Sequence, residues 1–228
     1  MAKLYVIATP IGNLEDFSFR AARVLKEVDL VLCEDTRVTR KLLNKFNIST
    51  PFLSYHQHSS LKRVNHILNL LQEGKDLALV SDAGTPGVSD PGNKLIEEIV
   101  ERLGKEVEII SVPGPSALTA AASVSGFPLD RFVFLGFPPA KRKRKKFFQE
   151  VLEAKHPVII YESPHRIIRT LEELDQLSSA HSGELLKIVV CREVTKKFET
   201  IYRGNIKEVI EQIKDDKIKG EFVVIIKR

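Results

Sequence analysis

The sequence predicts an α/β protein of two αβα domains with mainly parallel or mixed sheets. Short Val/Ile/Leu runs alternate with longer stretches of helical period along the whole chain, and Gly/Pro-rich turns bound the runs. Such alternation requires crossover connections, which favour parallel strands covered by helices. The apolar residues are chiefly aliphatic, aromatics being only 7% with no Trp, a texture that suits strands buried on both faces. At 43% hydrophobic over 228 residues, the chain can bury a core without a disulfide or metal staple.

Taken in order, Leu4–Ala8 reads as a strand and Ser18–Val28 as a helix that Asp16 or Ser18 can cap. Asp29–Cys33 is a strand, Thr36–Phe46 and Leu61–Leu71 are helices, and Leu77–Ser81 is the third strand. Over Asn93–Leu103, the residues Leu95, Ile96, Ile99, Val100 and Leu103 share one helical face, and the strand Val107–Val112 follows. Pro113-Gly114-Pro115 then opens a run of small residues, Ser116–Ser125, whose helical face of Ala and Ser suits close packing. That break sets the expected domains at 1–114 and 115–228. In the second half, strands are expected at Phe132–Leu135, Val158–Tyr161, Leu186–Cys191, Thr200–Tyr202 and Phe222–Ile226. Helices are expected at Lys143–Leu152, Arg166–Leu177 and Ile206–Ile213. The pattern leaves the pairing of these later strands open, antiparallel pairs included.

Cys33 and Cys191 each sit in or beside an apolar run and are expected to be buried thiols in a reducing, cytoplasmic setting. No Cys/His spacing fits a metal, the apolar start is too short for a signal peptide, and no stretch approaches membrane-spanning length. The net charge of +5 is local. Six of the 35 basic residues form one block, Lys141, Arg142, Lys143, Arg144, Lys145 and Lys146, and the remaining 29 nearly balance 30 acidic ones. A placed basic patch is the expected result. Phe147 and Phe148 behind it read as core anchors in preference to base-stacking platforms.

Three turns end strands of the first half: Thr9–Leu14, the twelve-residue Ser81–Gly92, and Val112–Ala117. Open α/β sheets bind ligands at this edge. The central turn, SDAGTPGVSDPG, has glycines for close backbone approach and prolines for stiffness. It matches neither GxxxxGK[ST] nor GxGxxG, so no standard phosphate cradle is present.

Together with TPIGNLED, Cys33–Arg37, Ser54–His58 and VPGPSA, that turn resembles one family, the ribosomal RNA small subunit methyltransferases I of the tetrapyrrole methylase superfamily. Leu135–Phe137, Tyr161–Arg166, Cys191–Lys196 and Lys219–Glu221 extend the resemblance, in order, over essentially the whole chain. The resemblance implies S-adenosylmethionine in a cleft between two αβα domains, a homodimer, and 2′-O-methylation of a decoding-region cytidine in 16S rRNA of the small ribosomal subunit. It assigns the cofactor to Pro10, Asp82, Ala83, Gly84, Thr85, Pro113, Gly114, Ser116 and Ala117. From the second domain it adds Leu135, Gly136, Phe137, Arg192, Glu193 and Glu221 within Gly220–Phe222. Family members often continue into a small helical segment, whereas this chain ends at Arg228, so an RNA contact from that segment is expected to be absent or supplied differently.

Methyl transfer to a ribose hydroxyl needs in-line alignment and a base within about 2.6–3.2 Å of the proton. Glu34, Asp35, His56, His58 and Glu162 are the candidates, with Glu34, Asp35 and His56 placed first. Asp35 and Arg37 read equally as a helix cap and ion pair at Thr36. Arg37, the basic block and Arg166 are candidates for RNA phosphate. Two other functions fit the same features: a small-molecule tetrapyrrole-type methyltransferase, which has no need of the basic block, and a non-catalytic RNA- or nucleotide-binding module.

Overall fold

The computed structural model describes residues 1–56, 59–90, 92–181, 186–216 and 218–228. It divides into two compact units, Met1–Ser116 and Ala117–Arg228.

In the first unit the strands are β1 (Ala2–Ile7), β2 (Leu30–Cys33), β3 (Phe52–Ser54), β4 (Leu77–Val80) and β5 (Val107–Val112). They form one sheet in the order β3-β2-β4-β1-β5, and every pair is parallel. Helices α1 (Phe19–Glu27), α2 (Thr36–Lys45), α3 (Leu61–Gln72) and α4 (Gly92–Arg102) cover it. Successive residues of one strand serve opposite faces, as the pleat requires. Leu77 and Leu79 of β4 pack with Ile67, Leu95 and Ile99 of α3 and α4. Ala78 and Val80 pack with Val24, Leu25 and Leu43 of α1 and α2. Both faces are covered, which is why β2 and β4 read as unbroken apolar runs.

Side chains fix the helix starts. Ser18 Oγ accepts from Ala21 N, Asp35 from Arg37 N, and Ser60 from Arg63 N. Of the two caps the sequence offered for α1, Ser18 is the one used. The edge strand β3 was not anticipated, because three residues after Pro51 carry no periodicity that a run of this length can show.

The second unit contains α5 (Ala117–Val124), β6 (Val133–Gly136), α6 (Arg144–Glu153), β7 (Val158–Glu162), α7 (Ile167–His181), β8 (Lys187–Arg192), β9 (Thr200–Asn205), α8 (Ile206–Lys214) and β10 (Phe222–Lys227). Its sheet has the order β6-β7-β10-β8-β9 and is mixed. β6 and β7 are parallel, whereas β10 runs antiparallel to β7 and β8, and β9 antiparallel to β8. On one face Phe222, Val224 and Ile226 join the core beneath α6, α7 and α8. On the other, Val223 and Ile225 pack with Ala121 of α5, whose small side chains let the helix lie close to the sheet. Cys33 and Cys191 are free thiols, each buried in its own unit. Among the described residues no helix is long and apolar enough to cross a membrane.

Candidate functional site

Because the first sheet is wholly parallel, the chain leaves β1, β2, β4 and β5 at the same edge. The turns after β1 and β4 are joined by a two-way backbone bridge: Thr9 N donates to Gly84 O at 2.9 Å and Gly84 N to Thr9 O at 3.1 Å. Thr9 Oγ1 also donates to Ser81 O at 3.1 Å. Thr85 Oγ1 donates to Pro115 O at 3.1 Å, tying the β4 turn to the β5 turn. Gly84 has φ +86°, a left-handed conformation that side chains resist. Gly114 lies so close to the β1 strand end that a Cβ there would sit 3.0 Å from Ala8 Cβ. Pro10, Gly84, Thr85, Gly114 and Ser116 thus belong to one braced rim. Asp82, Ala83, Pro113 and Gly114 are exposed on it.

The acidic groups gather at the same edge. Asp82 Oδ1 accepts from Asp35 N at 3.0 Å, linking the β4 turn to the start of α2. Although the residue is exposed, partial desolvation of its carboxyl raises it, against the pull of that N–H. Asp35 itself is committed. It caps α2, its carboxylate holds Arg37 through Nε and Nη2 (2.6 Å to the latter), and those bonds depress it to about 2. A carboxylate so depressed is a weak proton acceptor, so Asp35 and Arg37 follow the cap-and-pair alternative.

Glu34 is different. Desolvation raises it, the Asp82 charge adds to this, and the nearby His56 opposes it. His56 is exposed, with its amide donating to Ser59 Oγ at 2.9 Å. His58 lies outside the described residues. Beside Glu34 is a small opening lined by Tyr55, Ser81, Pro86, Asp90 and Gly92. Asp90 belongs to the SDAGTPGVSDPG turn, where the sequence gives it no separate role. Burial raises it to about 6, with the Ser81 hydroxyl pulling the other way and Glu34 and Asp82 adding repulsion. No local pattern marks it: Asp90 lies near the acids that follow β2 because β2 and β4 are adjacent, a pairing the sequence does not encode.

The raised Asp90 carboxyl has a stability consequence. The unfolded chain ionises this group near 3.8 and the folded one near 6, so ionisation opposes folding progressively from pH 4 to 6 and fully above. Asp90→Asn is expected to stabilise the protein at pH 7.5 by about 1–2 kcal/mol after solvent screening. Urea unfolding of both proteins should show that difference vanish toward pH 4.

In the second unit, β6 carries a bulge between Phe134 and Gly136, with Gly136 at φ +64°. Bulges re-aim a strand. Here Leu135 is the extra residue and Phe137 emerges half-exposed, its ring 5.5 Å from Tyr161. Arg192 is buried, pairing with Asp216 at 2.9 Å and donating to Phe198 O at 3.2 Å. Glu193, at φ +53°, accepts from Lys196 Nζ at 2.8 Å and from Glu221 N at 3.0 Å. Glu221 reaches the same lysine at 2.9 Å. These three side chains therefore hold the ends of β8 and β10 together, and sequence alone did not reveal that.

The basic block is not uniform. Lys141, Arg142, Lys143, Lys145 and Lys146 are exposed, but Arg144 is 5% exposed. Its guanidinium pairs with Glu173, donates to Pro139 O and Thr170 Oγ1, and lies 4.9 Å from the Phe148 ring centroid. The expectation of six surface charges is corrected to five, because position 144 is the first residue of α6 and faces the core side of that helix. Phe148 is buried and Phe147 packs against the same core, as expected. Arg166 pairs with Glu162 at 2.9 Å and donates to Pro138 O at 3.0 Å. Glu162 is 1% exposed and fully engaged, which removes it from the candidate bases. Among the described residues, no three His, Cys, Asp or Glu side chains are grouped to hold a metal ion.

A family model described as Tetrapyrrole (Corrin/Porphyrin) Methylases matches residues 3–210. Relatives bearing the name Ribosomal RNA small subunit methyltransferase I include one from Thermotoga maritima, 44% identical over 99% of this chain and 98% of its own length. Another, from Bacillus subtilis, is 40% identical over 99% of this chain and 75% of its own. The solved structure of the methyltransferase CobJ is similar in fold, with TM-score 0.68 and 21% identity over 99% of this chain and 94% of that one. The chain belongs to the ribosomal RNA small subunit methyltransferase I family, within the tetrapyrrole methylases.

Proposed function

We propose that this protein transfers the methyl group of S-adenosylmethionine to the ribose 2′-hydroxyl of a decoding-region cytidine in bacterial 16S rRNA. The observation that carries this reading is the braced rim of the first unit. There, the exposed residues Ala83, Pro113 and Gly114 share a sheet edge with Glu34 and Asp82, themselves exposed side chains whose carboxyls partial desolvation raises.

The donor set fits the cofactor. Carboxylates accept from ribose hydroxyls and an ammonium, and backbone without bulky side chains permits close approach to adenine and ribose. Pro10, Asp82–Thr85 and Pro113–Ala117 would hold it, and the resemblance adds Leu135–Phe137, Arg192, Glu193 and Glu221. S-adenosylmethionine supplies an electrophilic methyl on a sulfonium that is already a good leaving group. The protein must then align the 2′-oxygen and accept its proton. Glu34 is the base, since desolvation keeps its proton affinity above that of an ordinary carboxylate, whereas Arg37 drains that of Asp35. His56 supports the Glu34 charge. We place the protein in the cytoplasm and, by resemblance, in a homodimer.

The exposed residues of the 141–146 segment supply the affinity for RNA phosphate. Changing Lys141, Arg142, Lys143, Lys145 and Lys146 together to Gln, with Arg144 kept, is expected to weaken binding to small-subunit RNA. The slope of log K against log salt should become shallower by about 0.7–0.9 for each phosphate no longer neutralised. Calorimetric affinity for S-adenosylmethionine should be unchanged. An unaltered slope would reduce the segment to ordinary solvated surface.

A further inference from the structure

Two arginines in the second unit point at the same turn from different elements. Arg166, just before α7, donates to Pro138 O at 3.0 Å, and Arg144, at the start of α6, donates to Pro139 O at 3.0 Å. These carbonyls are consecutive. Proline offers no N–H, so the turn cannot brace itself with amides at these two positions, and its carbonyls take external donors instead.

The arginines are joined behind the turn. Arg144 Nη2 donates to Thr170 Oγ1 at 2.6 Å, and that hydroxyl donates to Glu162 Oε2 at 2.6 Å. Glu162 Oε1 holds Arg166 at 2.9 Å and accepts from Ser163 N at 2.7 Å. Glu173 steadies the other end by pairing with both Arg144 and Arg169. The Glu162 side chain has no exposed surface, so it cannot meet a ligand directly. Charge-assisted bonds sharing one buried carboxylate give a stiff relay from β7 and α7 to the turn.

We propose that Arg166 and Arg144 are positioning residues, clamping Pro138 and Pro139 so that the Leu135–Phe137 bulge and the Lys141–Lys146 segment keep a fixed course on either side. Neither arginine binds phosphate in this assignment, and Glu162 is the common anchor. The link to catalysis rests on the proposed function, since it is that reading which gives the bulge to the cofactor and the basic segment to RNA.

Glu162→Gln separates the possibilities, because it loosens Arg166 without altering any cation that RNA could touch. In the full chain, hydrogen exchange at the bonded amides just after the turn, Arg144 N to Lys141 O and Phe147 N to Lys143 O, is expected to accelerate at least about tenfold in Glu162→Gln and in Arg166→Gln, the loss of a charge-assisted bond. Arg166→Lys should restore part of the protection. Both Gln variants should also raise the dissociation constant for S-adenosylmethionine, while the salt slope of RNA binding stays that of the wild type. Circular dichroism checks folding; should Arg166→Gln fail to fold, Glu162→Gln and Arg166→Lys carry the comparison. A shallower slope in Arg166→Gln alone, with exchange unchanged in Glu162→Gln, would overturn the clamp and return Arg166 to phosphate. Faster exchange with no cofactor binding even in the wild type would uphold the clamp and refute the functional reading.

Discussion

Glu34→Gln is expected to slow methyl transfer to rRNA by about 10²–10⁴-fold, the usual contribution of a positioned general base. Three properties single out this residue. It directly follows β2, beside the turn after the neighbouring strand β4. It lines the opening shared with Tyr55 and Asp90. Its carboxyl is raised, so it accepts a proton more readily than an ordinary carboxylate. Glutamine keeps the shape and removes the basicity, so the affinity for S-adenosylmethionine should change little. Asp35→Asn supplies the contrast. Asparagine caps helices as well as aspartate, and a group already depressed to about 2 has little basicity to lose. Its transfer rate should stay within a few-fold of the wild type. Equal, large losses in both variants would argue for a shared electrostatic role in place of a base at Glu34.

Arg144→Ala is expected to destabilise the protein by about 3 kcal/mol, the order found when one partner of a buried ion pair is removed. The change leaves Glu173 with Arg169 alone, takes a donor from Pro139 O and Thr170, and opens space over the Phe148 ring. Substituting the five exposed neighbours should leave stability within about 0.5 kcal/mol, as surface changes usually do. Urea unfolding of the two variants therefore separates one structural arginine from five solvent-facing cations within a single run of six.

That distinction marks a limit of the sequence. Six like charges in a row have no internal periodicity, so nothing in Lys141–Lys146 says which one turns inward; the answer depends on where α6 begins and on Glu173, 29 positions away. The first unit was more legible. Parallel strands buried on both faces are written as plain aliphatic runs, and the expected strands at β1, β2, β4 and β5 differ from the observed ones by two residues at most at either end. The antiparallel placement of β10 between β7 and β8 was not legible, because strand pairing is a long-range property that a local pattern does not encode. The split between Glu34 and Asp35 is of the same kind. Adjacent carboxylates differ here because one caps α2 and holds Arg37 while the other lines an opening next to Asp82 and Asp90.

The most direct measurement incubates the purified protein with methyl-labelled S-adenosylmethionine and intact small ribosomal subunits, then digests the RNA to nucleosides. Label recovered as 2′-O-methylcytidine from one position of the decoding region is the predicted result. Label in a base, in a small molecule, or nowhere while the folded protein is present in excess would contradict ribose methylation by this chain.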